Sequence, residues 1–181
     1  MVVIGLDIST TSTGVAIFED EVLKESYVIK PKGKLMADRF NPMLQGLMDC
    51  LHKFSPEVIG IEDTFVGKDG DTVKFLTRLQ GAVIGWCFEN KKTYYTFVPN
   101  VWRSHLNFKF IESGIRLKRD EMKKQSQDYV KEHFGISCDD DESDAICIGL
   151  FASKLVTGKE SLEPKRIKKK TVKKVKKLKK E

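Results

Sequence analysis

Val2-Val3-Ile4-Gly5-Leu6-Asp7-Ile8-Ser9-Thr10-Thr11-Ser12-Thr13-Gly14-Val15-Ala16-Ile17-Phe18 is the stretch on which the reading of this chain turns. Val2, Val3, Ile4 and Leu6 form an apolar run of strand length, and Val15 to Phe18 form a second. The small hydroxyl residues between them are turn formers, so the pattern predicts two antiparallel strands joined by a polar turn. Asp7 interrupts the first run. An ionised carboxylate in a buried strand is costly unless it is paired, hydrogen-bonded or bound to metal. It is either a turn cap at a strand end or one member of a site whose other members lie elsewhere in the chain.

Working outward, residues 22–29 read as a third strand that ends at Lys30-Pro31-Lys32-Gly33 and completes an antiparallel meander. Residues 35–54 carry Phe40, Met43, Leu44, Leu47, Met48, Leu51 and Phe54 as a helical stripe, with Pro42 predicted to kink or restart it. Val58-Ile59-Gly60-Ile61 is a short buried strand that runs into Glu62-Asp63. A polar loop over 66–71, a helix over 72–90 and a strand over 94–98 follow. Pro99 then opens a helix that holds Val101, Trp102 and Leu106. Residues 108–117 read as loop and 118–134 as a basic amphipathic helix. The last helix, 141–156, has Ile146, Ile148, Leu150 and Leu155 as its apolar residues and is closed by Gly158. Three strands followed by strands that alternate with helices predict the α/β class, a mixed sheet with helices on both faces.

The 181 residues suit one domain with a real core, assigned to 1–158, and an appendage over 159–181. No apolar run approaches the roughly 18 residues that span a bilayer, and no leader pattern opens the chain, so no membrane partner is expected. Cys50, Cys87, Cys138 and Cys147 form no paired motif, and His52, His105 and His133 lack zinc-ligand spacing. Reduced thiols in a cytoplasmic protein are expected. The net charge of +6 is unevenly placed: residues 165–181 hold eleven Lys or Arg against Glu181, leaving 21 basic and 25 acidic residues before them. Such a tail is either a solvated terminus or a polyanion-binding arm, disordered alone or helical on its partner.

Further carboxylates share the setting of Asp7. Glu62 stands at the end of a buried strand, facing the sheet edge where ligands of open α/β sheets gather. Asp141 and Asp144 are three apart at the start of the last helix and so share a face. Asp63 and Asp140 are their rivals in register, and an acidic helix start complementing the macrodipole is the plainer reading of the second pair. Four acids brought together ionise only with cations between them. Mg2+ suits an all-oxygen set, and two such ions can activate water and neutralise a leaving oxygen of a phosphodiester.

With these motifs in view the chain resembles the RuvC-type Holliday junction resolvases of the wider ribonuclease H-like nuclease fold, over about residues 2–156. The resemblance rests on Gly5-Leu6-Asp7-Ile8-Ser9 with Thr13-Gly14-Val15-Ala16, and on Ile59-Gly60-Ile61-Glu62-Asp63-Thr64-Phe65. It rests also on Leu79-Gln80-Gly81, Pro99-Asn100-Val101-Trp102-Arg103 and Asp141-Glu142-Ser143-Asp144-Ala145. It implies a five-stranded mixed sheet, three strands antiparallel and then two parallel. It implies a homodimer that binds four-way DNA junctions and nicks strands of like polarity by metal-activated water. Carried over by motif, Asp7, Glu62, Asp141 and Asp144 would hold two Mg2+ ions per site, with Mn2+ able to substitute, and no nucleotide cofactor is implied. Phe65 matches the aromatic that stacks on a base near the junction centre, the plain alternative being a core Phe. Arg103 and Lys123 are expected to meet phosphate, with Lys118, Arg119 and Lys124 as rivals within a residue or two. The Lys-rich tail lies outside the shared body and looks similar to phage-borne members, whose targets extend to other branched DNA. Rival readings are a nuclease for forks, flaps or RNA-containing duplex, a DNA-binding protein without catalysis, and an actin-like or sugar-kinase phosphate-binding domain. The last needs a second copy of the fold that 181 residues cannot supply.

Overall fold

The computed structural model describes residues 1–64, 67, 69–112 and 115–163, so the basic residues from 165 onward and Phe65 lie outside the described residues. The first three strands, β1 (Val2–Ile8), β2 (Thr13–Glu19) and β3 (Val22–Ile29), form the expected meander. Asp20 and Glu21, both at positive φ (49° and 66°), make the tight turn between β2 and β3. That geometry matches the right-handed twist of the flanking strands. Helix α1 (Met36–Phe54) follows, then β4 (Val58–Glu62), α2 (Gly70–Glu89), β5 (Thr93–Phe97) and α3 (Pro99–His105). A two-stranded ribbon of β6 (Ile111–Glu112) and β7 (Ile115–Arg116) precedes α4 (Arg119–Phe134) and α5 (Asp140–Val156). The strand order is β3-β2-β1-β4-β5, with β4 parallel to both β1 and β5. This is the mixed five-stranded sheet expected, with helices on both faces.

Strand alternation divides the core. Ile4, Leu6 and Ile8 of β1 face α1 and α2, where they pack with Leu47, Leu51, Leu79 and Val83. Val3 turns the other way with Ala16, Phe18, Val58 and Phe97, toward α5 and its neighbours. By the same period of two, Gly5 and Asp7 of β1, Gly14 of β2, and Gly60 and Glu62 of β4 lie on the α5 side.

Helix α5 sits on that side closer than side chains normally allow. A Cβ added to Gly5 would lie 2.3 Å from both the Ala145 carbonyl oxygen and the Gly149 nitrogen, and one on Gly14 would lie 1.9 Å from the Asp141 carbonyl oxygen. Glycine here serves close backbone approach rather than a turn. Residues 143–153 of α5 are buried without a gap, enclosed between the sheet and α4. The expectation of one apolar face is therefore replaced by burial on every side, met by Ser143, Gly149, Ala152 and Ser153 as well as by the large residues.

Two further expectations are corrected. Helix α1 runs through Pro42 without interruption. A proline near the start of a helix removes only one internal N–H, and the packing of Met43, Leu47, Cys50 and Leu51 offsets it. The stretch 108–117 contains the β6–β7 ribbon, too short to leave a periodic pattern. After α5 the chain turns back: His105 of α3, buried, meets a Glu160 carboxylate oxygen at 2.5 Å through Nδ1 and the Glu163 carbonyl at 2.8 Å through Nε2. Among the described residues, no helix is long and apolar enough to cross a membrane.

Candidate active site

Asp7 lies one residue before the end of β1, and Glu62 closes the neighbouring parallel strand β4. With Leu6 paired to Ile61 in register, the two carboxylates stand side by side on the α5 face. The close seat of α5 over Gly5 and Gly14 brings the first turn of that helix over the same strand ends. Its N-cap Asp139 accepts from the Glu142 amide at 2.9 Å, and Asp141 and Asp144 then follow toward the sheet. Asp7 feels the charges of Glu62, Asp144 and Asp141 alike. Carboxylates from three separate segments thus meet at one end of the sheet, in a cleft of about 840 Å³.

Both register rivals line the cleft too, but in other settings. Asp63 is exposed, with its amide bonded to the Phe97 carbonyl at 2.9 Å. Asp140 is taken up by an ion pair with Lys123 and adds its charge to those acting on Asp144. Of the basic residues expected from the sequence, Arg103, Arg119 and Lys123 line the cleft, and Lys30, which the sequence did not single out, lines it with them. Lys118 and Lys124 do not, and both are exposed. One step along a helix turns a side chain by about 100°, enough to take each of them out of the cleft. Phe65 lies outside the described residues.

Partners around the acids were less visible in the sequence. The buried Trp102 donates from Nε1 to Glu62 Oε2 at 3.0 Å. The Gln80 amide donates to the Glu62 carbonyl at 2.8 Å. Arg103 donates from Nη2 to Asp144 Oδ2 at 3.2 Å, and Asp144 itself is only 2% exposed. Ser12, from the hydroxyl turn, donates to Asp141, whose other oxygen faces the Lys123 ammonium at 3.5 Å. Trp102 lies within one of the family motifs and Ser12 within the opening stretch, but neither residue type announces an acid as its partner.

The electrostatics follow from burial and crowding. Burial pushes Asp7 well above the usual carboxylate range, and the neighbouring Glu62, Asp144 and Asp141 charges push it further. Burial likewise raises Glu62, to about 7, with Asp144 adding and Arg103 and Trp102 opposing. Asp144 is raised by burial against the relief given by the Arg103 and Lys123 charges. For Lys123, burial works to lower the pKa, but the bond to Asp140 and the charge of Asp141 together lift it above normal.

Whether the site suits divalent cations can be judged from its donors. They are carboxylate oxygens, the donor class that Mg2+, Ca2+ and Mn2+ prefer. Among the described residues Asp144 Oδ1 is buried without a hydrogen-bond partner, and burial and mutual repulsion raise Asp7, Glu62 and Asp144, only partly offset by Arg103, Trp102 and Lys123. Among the described residues no group of three or more His, Cys, Asp or Glu side chains is already closed around one point as a metal cage. Lys123 and Arg103 instead supply the positive charge nearest the acids. The donor set fits divalent ions, with Asp7, Glu62, Asp141 and Asp144 as the residues that would hold them once Lys123 yields Asp141.

Comparison with known proteins bears on the same region. The RuvC of Psychromonas ingrahamii, a crossover junction endodeoxyribonuclease, is 25% identical over 87 residues, which is 46% of this chain and 50% of that protein. Its counterpart from Tolumonas auensis is 23% identical over the same length. The chain thus spans about half the length of the curated relatives it matches. Among solved structures, Thermus thermophilus RuvC in complex with a Holliday junction substrate has a TM-score of 0.67 and 21% identity, with 88% of this chain and 98% of that one covered. The Fowlpox virus resolvase in complex with Holliday junction DNA has a TM-score of 0.57 and 16% identity, covering 86% of this chain and 99% of that one. These likenesses show a shared fold. The family model for crossover junction endodeoxyribonuclease RuvC matches residues 3–150, nearly the whole described body, and this chain therefore belongs to the RuvC family.

Proposed function

We infer that the chain is a metal-dependent endonuclease that resolves four-way DNA junctions by paired nicks, acting in the cytoplasm as a homodimer with one cleft per protomer. The observation that carries this reading is the convergence of Asp7, Glu62, Asp141 and Asp144 from three segments at one sheet end. Two Mg2+ ions held there (or Mn2+ in their place) would supply charge neutralisation and lower the pKa of a water, so that its hydroxide is available to attack phosphorus near neutral pH. The chain's own residues do the rest. The four acids fix the site at the carboxyl ends of β1 and β4. Arg103, Arg119 and Lys123 line the same cleft and offer cations to the scissile phosphate and to the charge that builds on it. The hydroxyl turn 9–12 lines the same cleft. Phe65 is assigned the base-stacking role on the strength of the family motif alone, and stacking of that kind compensates a base for leaving its helix.

The test is a substrate panel with Mg2+: a four-way junction, a fork, linear duplex and an RNA–DNA hybrid, offered to the wild type, Asp7→Asn and Glu62→Gln. Symmetric nicking of the junction, abolished by both substitutions while junction binding persists, is the expected result. Equal cutting of forks or hybrid would move the substrate to branched or RNA-containing DNA and keep the chemistry. Cleavage unaffected by either substitution would remove the assignment of the site.

A further inference from the structure

Helix α3 touches the site twice within two residues. Trp102, 0% exposed, is enclosed by the core on the α5 side, its ring meeting Phe108 edge-on at 6.0 Å. Its Nε1–H, the only polar hydrogen of the side chain, donates to Glu62 Oε2 at 3.0 Å. The next residue, Arg103, lays its guanidinium over the same indole at 4.6 Å and donates to Asp144 Oδ2 at 3.2 Å. Glu62 ends a strand and Asp144 sits in α5, so one short helix grips acids from two different elements.

We propose that Trp102 is a positioning residue for the cleft: its indole N–H holds one oxygen of Glu62, presents the other to the cleft, and backs the Arg103 guanidinium against Asp144. The proposal rests on the reading of the cleft as a divalent-ion site. A carboxylate that must help to hold an ion gains from having its orientation set beforehand, and outer partners of ligating groups typically matter about 10–100-fold in metal affinity or activity. A phenyl ring at this position retains much of the packing against Phe108 but leaves Glu62 Oε2 without its donor. It also offers a poorer face to Arg103, since indole is the strongest aromatic partner of a cation.

The test measures Ca2+ affinity by calorimetry, together with kcat and KM for a four-way junction in Mg2+. The proteins compared are the wild type, Trp102→Phe, Glu62→Gln and the double variant. Trp102→Phe is expected to weaken Ca2+ binding about 10–100-fold and to lower kcat comparably, with KM nearly unchanged. In the Glu62→Gln background only the smaller part of the loss, the part that runs through Arg103 and Asp144, should remain. Equal Ca2+ affinity in wild type and Trp102→Phe, or a full additional loss in the double variant, overturns the proposal. Should Trp102→Phe fail to fold, the chain has two tryptophans, and Trp86→Phe leaves a single indole N–H resonance, that of Trp102. That resonance must move as Ca2+ saturates the protein, and one that stays in place overturns the proposal equally. Wild-type protein that binds Ca2+ but cuts no branched DNA would defeat the function reading and leave the Trp102 result standing. A cutting enzyme indifferent to Trp102→Phe would do the reverse.

Discussion

Asp7 stands where burial and three neighbouring acids all favour its protonated form, and Glu62 and Asp144 share that predicament. For such groups the sign of the pH effect is fixed. Below about pH 4.5 the folded and unfolded chains both carry the proton on Glu62, and its ionisation contributes nothing to stability. Between 4.5 and about 7 the folded chain retains a proton that the unfolded chain has released, so stability falls as pH rises. Above that window the full cost of the buried charge is present. Glu21 and Asp140, whose pKa values are lowered, act below it and with the opposite sign. Thermal melts without metal should therefore show Tm declining by several degrees from pH 4.5 to pH 8. Saturating Mg2+ should remove most of that decline, and Glu62→Gln should make it shallower. Arg103 works against the same repulsion as half of an ion pair only 14% and 3% exposed. Arg103→Met should cost the metal-free protein about 3 kcal/mol, the lower end for breaking a buried pair because Asp144 can take up a proton. The loss should shrink when divalent ions replace the missing charge, as paired melts with EDTA and Mg2+ would show.

At the scale of elements, the site exists because α5 lies almost in contact with the sheet backbone. Gly5, Gly14 and Gly149 are the residues that permit it, and a methyl group at Gly14 must displace the Asp141 backbone. Gly14→Ala should destabilise the fold by about 3 kcal/mol or more and reduce cleavage even where the protein still folds. Gly81→Ala, in the interior of α2 with open space around it, should stabilise by about 0.5–1 kcal/mol, both read by urea unfolding. The glycines are visible in the sequence, but a glycine in a strand signals a bulge, a bend or a close neighbour alike, and only the path of α5 selects among them. That helix defeats periodicity for a related reason: enclosed on every side, it has no polar face to set a period. Asp7 and Glu62 were legible because alternation along two short strands assigns their side regardless of what packs there. The bond from Trp102 to Glu62 joins residues 40 apart, and no local pattern encodes such a pairing. Lys118 and Lys124 were indistinguishable from Arg119 and Lys123 as residue types, and only the rotation of α4 parts them.

For the molecule as a whole, charge is divided between an acidic body that carries the cleft and a Lys-rich end. His105 holds Glu160 and Glu163 against α3, the helix that also carries Trp102 and Arg103. Removing residues 164–181 takes away eleven basic side chains. Junction affinity should fall and log K against log salt should flatten by about 0.9 for each phosphate that the tail had neutralised, while turnover at saturating junction persists. An unchanged slope, by salt-dependent binding titration, would deny the tail any part in DNA attraction. That acids distant in sequence gather to hold divalent ions can be put to the proof by the anomalous scattering of Mn2+ in crystals of the protein at pH 8. Density bounded by Asp7, Glu62, Asp141 and Asp144, with Lys123 moved away from Asp141, is the predicted result; Mn2+ bound elsewhere, with that cleft empty at saturating concentration, would contradict it.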